Sequence, residues 1–417
     1  MEVPPEGESL SLSDAANKEE GGVNLGKVLA LGGLAIAGLA GCTQGSSTPE
    51  PVTELVVPGE ALDGQVEALE LRDPEGRTLY ADEGMDLNTK GEFLAGTSRG
   101  LMEGELGGEM SVVRAESKQL YADEGIQLNE KGQYVAGTSR GLRVGTRGGE
   151  SHYLELDGKR VYPDESADLN EKGQFIAGTN RGIVLGEVGK PELTRLTTQD
   201  GKILYADEGF SINESGQFVA GTNRGVIVGN ANDGSFRFLE DGERRLYSDE
   251  GNDINEKGQF VAGTNRGLVV GNAQDGSYSY LEGEGKRLYS DDGMDINENG
   301  QIVAGSSRGL FKTDAESKQV EFLEMNGRRL YASDGVDDED DEDPEWIGNV
   351  GVQLTDQGTF LAGSSKGWVL GNVNNDDLSL LEQNGKRLYA DDGARLLEDG
   401  RFLLGTTRGL MTGDLTP

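Results

Sequence analysis

Two sets of charged side chains recur along this chain about every 42 residues, and they hold most of the chemistry the sequence offers. One is a cation in a short turn: Arg99, Arg140, Arg181, Arg224, Arg266, Arg308, Lys366 and Arg408. The other is an acidic pair just after a tyrosine: Asp82-Glu83, Asp123-Glu124, Asp164-Glu165, Asp207-Glu208, Asp249-Glu250, Asp291-Asp292 and Asp391-Asp392. A ring of eight cations could hold an acidic glycan or a phosphate. Paired with neighbouring carboxylates, the same cations would instead tie one unit to the next. Acids outnumber cations there two to one, which favours the structural network over an exposed anion site.

One segment breaks the period. Between Val336 and Val352 lies DDEDDEDPEWIGNVG, in which Asp337, Asp338, Glu339, Asp340, Asp341, Glu342 and Asp343 form an unbroken carboxylate run. Such a run repels itself and stays solvated. Pro344 then gives a rigid corner and Trp346 an aromatic contact. Isolated departures on a repetitive scaffold are where binding enters. The run and Trp346 are therefore candidates to meet a divalent cation, a basic partner or a stacked sugar; a plain solvated loop is the alternative. Trp368 and His152 read as ordinary strand residues. The repeat copies differ most at Gln127, Ser166, Gln353, Arg395 and Leu397, which do not make an acid/base set.

Composition narrows the functions further. The 417 residues carry 75 acids against 38 bases, a net charge of -37, with one cysteine and one histidine. Such a surface repels phosphate backbones, so nucleic-acid binding is not expected. A lone cysteine forms no internal disulfide or cysteine-rich zinc site. A lone histidine excludes most histidine-based catalysis. No catalytic constellation can be identified, although paired carboxylates could in principle serve a polysaccharide lyase or hydrolase.

Repetition organises everything after residue 61. GEFLAGTSRG (91–100) recurs as GQYVAGTSRG, GQFIAGTNRG, GQFVAGTNRG (twice), GQIVAGSSRG, GTFLAGSSKG and GRFLLGTTRG (400–409), at spacings of 41, 41, 43, 42, 42, 58 and 42 residues. Each unit reads as short strands separated by Asn-Gly and Arg-Gly turns, with no helical period. Four-strand units of this length are propeller blades. Four strands per blade would put the cations and the acidic pairs on one face of the disc; a fifth strand at RRLY would undo that parity. The eighth copy stops after three strands, and VEALEL (66–71) supplies the missing one ahead of the first copy. The expected fold is therefore all-β: an eight-bladed β-propeller closed by an N-terminal strand, with seven blades or a β-solenoid as lesser options.

The stretch DINENGQIVAGSSRGL resembles the repeats of extracellular, sensor-type propellers, and that resemblance implies a binding role with no catalytic residues to carry over. Alanine stands where such repeats often have tryptophan. The segment Asp295-Ile-Asn297-Glu-Asn299-Gly300 also resembles the opening of an EF-hand calcium loop. Its twelfth position is Ser306 rather than glutamate, and other copies place Lys172 and Lys257 at the fifth. Glycine-bearing turns explain the pattern better, so no cofactor or metal ligand is expected, with Ca2+ a minor option.

Residues 28–40 are 13 apolar residues in a row, too few to span a bilayer but enough for a signal-peptide core. Leu39-Ala40-Gly41-Cys42 follows and resembles the lipobox of bacterial lipoproteins, which implies lipidation at Cys42 and removal of 1–41. Residues 1–26 hold six acids and one lysine, against the positive leader a signal needs. A start at Val23 would remove the conflict. Residues 42–60 read as the lipidated cysteine and a flexible tether, and 61–417 as the propeller with its acidic insert at 336–351. The sequence thus predicts a monomeric, extracytoplasmic, lipid-anchored scaffold in the cell envelope that binds protein or polysaccharide. It would touch the membrane through the lipid alone. A polysaccharide-active enzyme or a subunit of an envelope assembly machine is the alternative.

Overall fold

The computed structural model describes residues 69–332 and 351–415, with the backbone alone at Glu83, Asp292 and Asp392. Cys42, the signal and tether segments, the acidic run 337–343 and Trp346 lie outside the described residues.

Two local devices shape the blades, the first in six of them and the second in all eight. An asparagine opens the first turn: the Asn213 side-chain oxygen accepts the backbone N–H of Gln217 at 2.9 Å, and Gly216 closes the turn at φ +81°. A threonine or serine closes the second: the Thr222 hydroxyl donates to the Gly225 carbonyl at 2.7 Å and accepts the N–H of Arg224 at 3.1 Å. Between them runs the strand Gln217–Thr222, buried on both sides after its first residue. Its two faces are covered because each blade is sandwiched between two neighbours. The Phe218 ring lies flat over Gly229 of the next strand, where an added Cβ would sit 2.4 Å from Cζ. In the sixth blade Ile302 replaces the ring, and its cross-strand partner has become Thr313.

These strands assemble into eight four-stranded antiparallel sheets. The first is Ala81–Leu87, Glu92–Thr97, Met102–Glu105 and Met110–Val112. The eighth takes three strands, Ala390–Leu396, Arg401–Thr406 and Met411–Asp414, from the C-terminal end and its outer strand, Leu69–Glu70, from the N-terminal end. Leu69 pairs with Thr412 and Glu70 with Met411. Each innermost strand packs on the next, and the eighth packs on the first. The apolar core lies between blades: Leu397, Leu403 and Leu410 of the last blade pack with Leu79, Met85 and Phe93 of the first. The chain is an eight-bladed β-propeller, as its repeats predict.

The RRLY segment departs from a plain connection without disturbing parity. Arg244–Arg245 is a strand, but it pairs with Glu240–Asp241 in a separate two-stranded hairpin. An even number of extra crossings returns the chain to the face it left. Arg245 lies 3.6 Å from the Phe238 ring centroid and Arg287 3.6 Å from that of Tyr280, pinning the hairpins to the outer strands.

Candidate binding face

One face of the disc, here the upper face, collects the starts of the innermost strands, the threonine turns and the hairpins. Each blade's tyrosine is seated there by its own turn: Ser98 N–H donates to Tyr80 O, Asn265 to Tyr247 O and Ser307 to Tyr289 O. Six of the eight, Tyr80, Tyr121, Tyr162, Tyr247, Tyr289 and Tyr331, are 42% to 50% exposed. Tyrosine, apolar along its ring and polar at its tip, is a residue that binding interfaces favour.

Inside the tyrosines lie the acidic pairs. Ser248 faces Thr264 and Asn252 faces Ala262, so Asp249, Glu250 and Gly251 bulge opposite the single residue Gly263. The glycine is required, because a Cβ there would lie 1.8 Å from the Asp249 carbonyl oxygen. The bulges force Glu124, Glu165, Glu208 and Glu250 to φ values of 52°, 70°, 71° and 64°. Non-glycine residues in this region are strained, and such strain collects at functional sites. Burial, followed by repulsion from Asp164 and Asp207, raises the Glu165 carboxyl above its ordinary range. Burial and then Glu165, Asp207 and Asp249 do the same to Glu208, and burial and then Asp82 to Asp391.

The repeated cations share this face, and two of them pair with the hairpins. Arg266 pairs at 2.8 Å with Asp241, and Arg308 with Glu284, both on the preceding blade's hairpin. Arg99, Arg140, Arg181, Arg224, Lys366 and Arg408 make no ion pair among the described residues. The blade-to-blade network expected of all eight thus forms at two junctions among the described residues; Asp157 and Asp200, which stand 24 residues before Arg181 and Arg224 as Glu284 does before Arg308, pair with Arg195 and Lys202 instead.

Blades are tied mainly by groups the sequence reading passed over. Asn88 Nδ2 donates to Asn129 O, Asn129 to Asn170 O, Asn170 to Asn213 O, Asn213 to Asn255 O, Asn255 to Asn297 O and Asn297 to Thr355 O. Carboxylates add a second bond in the same sense, Glu256 accepting the N–H of Glu214 at 2.7 Å and Glu298 that of Glu256 at 2.9 Å. The DINENG stretch belongs to this lacing. Asp295 accepts the N–H of Leu354 at 2.7 Å, and Asn297 forms the turn.

At the axis, the residue two before each turn asparagine, or before Thr355 and Leu397 at the same place in the last two blades, points inward. The series is Asp86, Gln127, Asp168, Ser211, Asp253, Asp295, Gln353 and Arg395. Arg395 reaches Asp86 at 2.7 Å, Gln127 at 3.1 Å and Gln353 at 3.2 Å, joining the four blades nearest the chain ends. Three of the most divergent positions in the repeats therefore meet at one point. Burial drives Asp168 up to about 7 against the pull of the Ile212 and Leu169 N–H groups and Arg395. Burial and the facing Asp253 hold Asp295 well above the carboxylate range. These groups satisfy one another and the backbone of the next blade, so the axis is a polar plug. Among the described residues, no three His, Cys, Asp or Glu are arranged to hold a metal ion.

The one-off residues elsewhere fall into the framework. Trp368 is fully buried and donates from Nε1 to Gly405 O at 3.0 Å. His152 is exposed on an outer strand opposite Val144. The chain leaves the described part after Ala332 and re-enters at Gly351, so both flanks of the acidic insert stand on the upper face.

No protein-family profile and no curated protein matches this chain. Among solved structures it is similar to the extracellular domain of a one-component system from B. thetaiotaomicron, with 14% identity over 72% of this chain and a TM-score of 0.46. It covers 39% of that chain. A hybrid two-component system's extracellular domain from the same organism gives 12% identity, 83% of this chain, 53% of that chain and a TM-score of 0.39. YCF48 bound to D1 peptide gives 11% identity, 86% of this chain, 97% of that chain and a TM-score of 0.46. At these scores the likenesses assign neither ligand nor chemistry to the present chain.

Proposed function

We propose that this chain is a non-enzymatic binding scaffold whose upper face docks a basic segment of a partner protein. The observation that carries this reading is the pairing of two concentric rings. Carboxylates at Glu208 and Asp391, half-buried, and at Glu165, more open, are crowded by like charge, and open tyrosines surround them. A lysine or arginine side chain entering the inner ring would relieve that repulsion, and its neighbours would lie against tyrosine faces. The acidic run 337–343, whose flanks rise on this face, would extend the negative field. Cys42 would carry the lipid anchor at an extracytoplasmic membrane surface, with 43–60 as its tether. A Cys42→Ser variant that keeps its membrane association would remove the anchor from this reading.

The test measures fluorescence anisotropy of a labelled octa-arginine peptide with the full chain. Binding should weaken from 50 to 500 mM salt and fall at least tenfold in the Tyr247→Ala/Tyr289→Ala variant, while a Gly-Ser peptide should not bind. Equal binding by the tyrosine variant rules out the proposed face.

A further inference from the structure

The junction between the third and fourth blades lacks a counterion its neighbours possess. At the next two junctions the turn arginine is met by an acid from the preceding hairpin, Asp241 for Arg266 and Glu284 for Arg308. In the third-blade hairpin Gln199 lies 25 residues before Arg224, as Asp241 does before Arg266, and Asp200 lies 24 before it, as Glu284 does before Arg308, but Asp200 pairs with Lys202 instead. Arg224 is consequently left over. Five arginines bury an Nε without a partner: Arg143, Arg147, Arg195, Arg224 and Arg308. The other four use their terminal nitrogens, on Ser151, Glu92, Asp157 and Glu284. Arg224 alone of the five has no side-chain hydrogen bond or ion pair among the described residues.

Arg224 also lines the wall of a cavity of about 800 Å3, against about 290, 280 and 220 Å3 for three others. Lys202, Arg237 and Arg245 line it too, with Thr198 and Gln199 as neutral polar groups and Phe236 as an aromatic wall. Two acids offset the four cations. Asp200 pairs with Lys202 at 2.8 Å, and Glu240 stands 3.8 Å from Arg245. Arg237 spends its charge on the carbonyls of Asp275 and Gln274. An excess of positive charge in a concave site is unusual on a chain at -37. Screening confines the remote negative charge to about 8 Å at physiological salt, so the local cations set the potential there.

We propose that this groove is an anion-binding site for a small acidic saccharide, whose carboxylate or sulfate takes the place of the missing acid beside Arg224. The volume is in the range of small-ligand pockets, well beyond a bare ion. Thr198 and Gln199 suit sugar hydroxyls, and Phe236 offers a ring to pack on. The groove lies where the outer strand of the fourth blade meets the upper face, and it does not depend on the peptide-docking reading.

Isothermal titration calorimetry on the full chain at 0.15 M salt, with glucuronate, glucose 6-sulfate, glucose and inorganic sulfate, tests it. Both acidic sugars should bind and glucose should not. Arg224→Ala should weaken binding at least tenfold. Gln199→Glu, which restores the counterion without removing the arginine, should do the same. Arg266→Ala, whose guanidinium already pairs with Asp241, should leave binding unchanged. Unchanged affinity in both groove variants, or no preference for acidic sugars over glucose, overturns the site. Inorganic sulfate binding as tightly as the two sugars overturns the saccharide assignment.

Discussion

Arg395 and Asp86, 309 residues apart, meet Nε to Oδ1 at 2.7 Å across the seam where the two ends of the repeat array close. Asp86 also accepts the N–H groups of Leu87 and Leu128, at 2.7 and 2.6 Å, so one buried carboxylate holds three blades. The guanidinium is held above its usual range chiefly by Asp86, against the cost of burial. Removing one partner strands the other in a low-dielectric site. Arg395→Leu should cost about 3 kcal/mol in urea unfolding. Adding Asp86→Leu should recover part of that loss, less the N–H groups left unpaired.

The axis also sets a pH response. Asp168 is raised from 3.8 to about 7, so the folded state holds a proton that the unfolded chain releases near pH 4. Its contribution is full below that point and is lost as pH rises toward 7. The ceiling is about 4 kcal/mol, at about 1.4 kcal/mol per unit. Carboxylates lowered by arginine, such as Asp241 and Glu284, act in the opposite direction, so the comparison must be made against a variant. Between pH 5 and 8 the wild type should lose more stability than Asp168→Asn; parallel thermal melts would refute the assignment.

Glu208 opposes stability twice, through its φ of 71° and its crowded carboxyl. Glu208→Gly should stabilise the fold by about 1 kcal/mol, because glycine adopts this conformation freely. It should also weaken octa-arginine binding. A gain in one measurement with a loss in the other marks the bulge as kept for binding.

The Phe218–Gly229 contact predicts a compensating pair. Gly229→Thr places side-chain atoms into the Phe218 ring and the Ser235 carbonyl, and should cost about 2–3 kcal/mol. Phe218→Ile in the same chain copies Ile302 and Thr313 and should restore at least half of that loss. Additive losses in a double-mutant cycle would show that the two positions are not coupled.

The blades and their closure could be read directly from the sequence because the relevant signals are local and occur eight times. Asn-x-x-Gly and Thr-x-Arg-Gly each specify a turn by bonds within four residues, and the displaced VEALEL strand announces the seam. What bonds to what between blades was harder to see. Asn213 and Asn255 are 42 residues apart, and nothing in either turn shows that one side chain serves both its own turn and its neighbour's carbonyl. The tyrosines stood in plain view but look like strand residues until the turn places them on a face. Gln127, Gln353 and Arg395 stood out as departures; only the ring geometry reveals that they touch. The turn cations were expected to share one fate, yet their pairing depends on single hairpin residues such as Asp241 and Gln199.

The asparagine and glutamate lacing runs in one sense around the disc, each blade donating a side-chain and a backbone N–H to the next. A joint of that kind can be copied without redesign, since a duplicated blade brings both halves of the next joint with it. Nothing in such a joint counts blades. Leu397 takes the asparagine's place in the last blade, and Arg395, Arg401 and the Leu69–Glu70 strand do the closing there instead. Gene duplication could therefore lengthen or shorten the array wherever it pleased, while the freedom to change ring size would be decided at this one custom-built joint.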